Sequence, residues 1–120
     1  MNTQEAFTTA ARHLLTQKER SLLSGAWLYE QCAYRGDSGK KCAIGCLIPD
    51  TLYDFNMEGT AIGDLLLDRN AVSELLDHVD GSLLVKLQRL HDDPTKTPNW
   101  KTELVNLAEE FNLKWELENE

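Results

Sequence analysis

The residues of this 120-residue chain best suited to attack a substrate or move its protons are three cysteines and three histidines. Cys42 and Cys46 lie in its densest local pattern, Cys42-Ala43-Ile44-Gly45-Cys46-Leu47-Ile48-Pro49-Asp50. A thiol becomes a nucleophile when a histidine, oriented by a carboxylate, takes its proton. His91-Asp92 supplies both types, so the candidate catalytic set is Cys42 or Cys46 with His91 and Asp92. The setting argues against it. A reactive thiol needs an electropositive, partly exposed environment, and both cysteines sit in the most apolar stretch of the chain. The nearby positive charge is that of Arg35, Lys40 and Lys41.

Metal chemistry has a weaker claim. Cys-x3-Cys fits the letter of zinc-site spacing, but a second pair is missing. The other soft ligands, Cys32, His13, His78 and His91, are scattered. On an extended chain Cys42 and Cys46 would stand about 13 Å apart at ~3.3 Å per residue, too far for one ion or a disulfide. Asp50, Asp54 and Glu58 lack the order of a calcium loop. Gly36, Gly39 and Gly45 complete no phosphate-binding motif, and Arg35-Gly36-Asp37 reads as turn chemistry. No metal and no cofactor is expected; a structural zinc site ranks last among the alternatives.

The elements that must position these residues follow from periodicity. Asn2 and Glu5 have capping-box spacing, and Phe7, Ala10, Ala11, Leu14 and Leu15 continue a helix over 2–17. Two apolar runs around Arg35–Lys40 predict a β-hairpin over 27–48, with Gly45 allowing a close backbone approach. Helices are expected at about 60–67, 70–80, 82–92 and 97–112, the last started by Thr97-Pro98 and stopped by Asn112. Leu113, Trp115 and Leu117 alternate with charged residues, so the acidic tail 113–120 is a candidate third strand. The fold class is α+β, mostly helical: one domain of four to five helices packed on one antiparallel hairpin. His91 follows Leu87 by four residues, which turns it toward the buried face. It is expected to be partly buried and hydrogen-bonded, roughly 4 Å or more from any cysteine sulfur.

Twelve Lys and Arg against twenty Asp and Glu give a net charge of −8, which argues against a nucleic-acid partner. Residues 1–60 carry a net −1 and residues 61–120 a net −7. The longest apolar stretch, Cys42 to Pro49, is far short of the ~20 residues that span a bilayer. The start of the chain lacks a signal-peptide pattern, and unpaired thiols suit a reducing cytoplasm.

The run YRGDSGKKCAIGCLIPD, a later LQRLHDD and a W-x3-L-x2-L-A-x2-F helix resemble a group of short uncharacterised bacterial and phage proteins. Arg35, Gly36, Cys42, Gly45, Pro49, Asp50, His91, Asp92 and Trp100 match that pattern. The resemblance implies membership and carries no catalytic residue with it. The resulting expectation is a small cytoplasmic accessory or regulatory protein, phage-encoded or bacterial, that binds another protein without catalysis. Its candidate binding residues are Arg35, Gly36, Lys40, Lys41, Asp50 and Trp100. The alternative is a thiol-dependent hydrolase or transferase using Cys42 or Cys46 with His91 and Asp92.

Overall fold

The computed structural model of the chain describes residues 1–23 and 31–117. Within them the fold is mostly helical, with one very short antiparallel strand pair. Helix α1 (Thr3–Gln17) starts in a full capping box: the Asn2 side chain accepts the Glu5 N–H, and the Glu5 carboxylate accepts the Asn2 N–H, each at 2.9 Å. Ala6, Phe7, Ala10, Ala11 and Leu14 form its buried stripe. Strand β1 (Leu22–Leu23) pairs with β2 (Gln31–Cys32), Leu22 opposite Cys32.

The hairpin expected over 27–48 is not formed as such. Part of its first arm, residues 27–30, lies outside the described residues. Its second arm is no strand. After a single bridge between Arg35 and Lys41 the chain turns, and Gly45–Leu47 makes one turn of 3-10 helix. Cys46 N–H donates to the Cys42 carbonyl and Leu47 N–H to that of Ile44, so local bonds replace a ladder. The reason lies in the side chains. Cys42, Ala43, Ile44, Leu47 and Ile48 are all buried, whereas a strand would send Ala43 and Ile44 to opposite faces.

Two short helices follow, α2 (Ile62–Leu65) and α3 (Ala71–Leu75), both briefer than the periodicity suggests. Asn70 caps α3 through the Ser73 N–H at 2.9 Å, and Asp80 caps α4 (Gly81–Asp92) through that of Ser82 at 2.9 Å. Leu83, Leu84, Leu87 and Leu90 are the buried stripe of α4. A 3-10 turn, Thr97–Asn99 with Pro98 in it, leads into α5 (Trp100–Glu110). Its end is a Schellman motif: Asn112 is left-handed at φ 54°, and the Leu113 N–H returns to the Ala108 carbonyl at 2.8 Å.

Over its described residues, 113–117, the tail is not a third strand; residues 118–120 of the expected strand lie outside the described residues. Gln4 exchanges two hydrogen bonds with the Lys114 backbone, at 2.8 and 3.0 Å, and the Thr8 hydroxyl donates to Glu116. Trp115 meets Phe7 edge-on, and Leu117 is buried. The alternation seen in the sequence is real, but side chains of α1 take the place of a neighbouring strand. Helix α1 therefore sits centrally, against the Gly45–Leu47 turn, α4, α5 and the tail, while α2 packs on α4. Among the described residues no helix is long and apolar enough to cross a membrane.

Candidate functional site

The C-terminal end of α4 brings His91 and Asp92 to the β1–β2 pair. His91 is completely buried, not partly so. Its ring stacks on Trp100, with centroids 5.9 Å apart and planes at 25°. Its Nε2 accepts the Ser21 backbone N–H at 2.8 Å, and its Nδ1 lies 2.8 Å from an Asp92 carboxylate oxygen. An amide N–H can only donate, so Nε2 must be the bare nitrogen. The proton then resides on Nδ1 and is given to Asp92. That arrangement uses both nitrogens.

Cys32, a residue that spacing alone did not connect to His91, completes the cluster. Its sulfur, an imidazole nitrogen of His91 and a carboxylate oxygen of Asp92 lie within 4.8 Å of one another. No hydrogen bond joins His91 to a cysteine among the described residues. The Cys32 thiol faces the Asp92 carbonyl at 3.9 Å instead, beside the Arg20 guanidinium at 3.7 Å. Three donor types so close resemble a metal site, but the proton count speaks against one. Nε2 is held by Ser21 and Nδ1 carries the hydrogen, so His91 has no lone pair to offer. Arg20 adds positive charge where a cation would sit.

The other two cysteines are held elsewhere in the turn. Buried Cys42 accepts the Gly45 N–H at 3.2 Å, and half-buried Cys46 donates to the Ala43 carbonyl at 3.1 Å. Cys42 does share an open cleft of about 250 Å³ with Cys32, Tyr34, Thr60, Gln88 and Asp92. Burial pushes the Cys42 thiol up to about 12, partly offset by the Gly45 N–H, and pushes Cys46 up to about 12 as well. Cys32 rises to about 11, through burial first and the Asp92 carboxylate second. All three thiols therefore stay protonated near neutrality.

The candidate binding residues form a scaffold around this centre. Gly36 lets the chain pass Ser21: a Cβ there would stand 2.4 Å from the Ser21 hydroxyl oxygen and 2.7 Å from the Leu22 nitrogen. That hydroxyl donates to the Lys40 carbonyl at 3.2 Å, and the Lys40 ammonium pairs with Glu19. The backbone of Lys41 is gripped from α1 by His13 and Gln17. The Arg35 guanidinium donates to the Ile48 carbonyl at 2.6 Å, pairs with Asp50 at 2.9 Å and lies over the Tyr53 ring. Glu58 accepts the amides of Tyr34 and Arg35 with one oxygen each. Trp100 is buried against His91, so it offers no outward face. Ser21, Arg20 and Glu58 carry much of this network without any motif to announce them.

No family model, curated protein or solved structure matches this chain.

Proposed function

We propose that this chain is a small cytoplasmic accessory or regulatory protein, of the bacterial or phage type it resembles, that acts by binding another protein without catalysis. One observation carries the reading. His91, which lies beside the Cys32 thiol, has its basic nitrogen occupied by the Ser21 amide, inside a fully buried stack. A general base must be free to take a proton within hydrogen-bond reach. His91 could do so only by giving up the bond that ties β1 to α4. The raised thiols support the same reading from the nucleophile's side.

The test is the rate of iodoacetamide labelling at pH 8, residue by residue, on the folded protein. Raising Cys32 from 9.0 to about 11 lowers its thiolate fraction roughly 100-fold. Cys42 and Cys46 should be slower still, and all three should react freely once unfolded. A single cysteine that labels in the folded state as fast as a free thiol would replace this reading with the thiol-dependent hydrolase or transferase.

A further inference from the structure

The surface between α2 and α3 takes no part in the network around His91. Leu67 follows α2 with 80% of its surface exposed. With Leu66, Leu76 and Val79 it lines a cleft of about 350 Å³, where Asp68, Glu74 and Asp77 outnumber the single cation, Arg69. One exposed leucine is ordinary. A leucine at the rim of a mixed cleft, where leucines meet carboxylates in a strongly biased field, is a different matter.

The bias is local. Residues 50–80 contain eight acidic residues and one basic residue, Arg69, a net of −7 out of the chain's −8. Some of these acids are used by the fold: Asp50 pairs with Arg35, Glu58 holds two amides, and Asp54 and Asp80 cap turns. Asp68, Glu74 and Asp77 have no ion pair among the described residues. The carboxylates that surround the cleft are the ones the fold leaves over.

We infer that this cleft docks an apolar side chain presented by a Lys/Arg-rich segment of a partner protein. The inference rests on the binding reading above and adds the partner's chemistry. Charge complementarity selects the occupant. An anionic lipid surface or nucleic acid would be repelled. A second copy docking this face symmetrically would bring two like-charged surfaces together. A basic segment gains steering from the carboxylates, while exposed Leu67 and half-buried Leu66 supply the apolar contact that fixes its register.

The test uses a short amphipathic peptide of leucine and lysine as the probe, with a leucine–glutamate peptide as control, followed by fluorescence anisotropy and by backbone amide shifts of the full chain. The leucine–lysine peptide should bind, weaken as salt rises, and shift amides within residues 66–79. Leu67→Ser keeps the charge and alters an exposed side chain, so the fold should persist and affinity should fall about tenfold. The triple variant Asp68→Asn, Glu74→Gln, Asp77→Asn should lose at least as much, and Glu109→Gln on α5 should lose nothing. Failure of the peptide to bind, equal affinity for Leu67→Ser, or shifts confined to other residues would each overturn the assignment. So would a concentration-dependent dimer that Leu67→Ser abolishes, since the occupant would then be a second copy. Slow thiol labelling with no peptide site would remove this cleft and leave the binding function standing. Fast labelling would remove the function whatever the cleft does.

Discussion

Gly45 shows how much one missing side chain can decide. A Cβ at this position would stand 2.1 Å from the Tyr34 carbonyl oxygen and 2.9 Å from its carbon. Both are backbone atoms, and Tyr34 is itself fixed by Glu58 and by its hydroxyl bond to the Thr60 carbonyl at 2.6 Å. Neither side can yield. Gly45→Ala should therefore destabilise the protein by about 3 kcal/mol, at the upper end for overpacking, read as a lower urea midpoint. Gly39, whose Cβ would meet nothing, is a useful contrast, although its φ of 75° strains any other residue. The close approach at Gly45 was legible because a glycine within an apolar run needs a reason. The His91 site was legible only in part. The i, i+4 relation to Leu87 placed the ring inward, and the Asp93-Pro94 pair marked where α4 stops. Nothing local announced Ser21, because its role is played by a backbone amide that every residue except proline possesses.

At the scale of elements, the signals at some helix ends are short-range, whereas those of the segments between helices are not. Capping depends on neighbours within a few residues, so Asn2 and Asn112 could be recognised from the chain alone. The turn at Lys41–Ile48 could not, since short apolar runs fit a buried strand and a buried turn equally. The same ambiguity governed the tail, where an alternating pattern found its partner on a helix. That strap has a measurable share of the stability. Leu117 is almost wholly buried, and Leu117→Ala should cost about 3 kcal/mol in the usual range for core leucines. Gln4→Ala, which removes two bonds to Lys114 at an exposed site, should cost about 1 kcal/mol. Denaturant melts of the two variants check the order; equal and negligible effects would mean the tail merely rests on α1.

For the whole molecule, the thiols set a limit at high pH. Each is an acid whose folded pKa lies above its ordinary 9.0: about 11 for Cys32 and about 12 for Cys42 and Cys46. Below pH 9 both states keep these protons and the thiols add no pH dependence. Above it the unfolded chain releases them first, so stability should fall steadily from about pH 9 toward 12. Urea midpoints at pH 8 and pH 10 would show this, and Cys42→Ala should flatten the slope. A different consequence follows from the central place of α1. It is synthesised before the residues that cover Phe7, Ala10 and Leu14, which come from the turn at 45–47, from α4 and α5, and from the strap at 113–117. Until those segments have been synthesised, α1 has only solvent or a chaperone against its apolar stripe. Completion of the core must therefore wait until the strap at 113–117 has been made, with closure between residues 4 and 114 among its latest steps. Nascent chains arrested before residue 113 should accordingly remain open to proteases along α1.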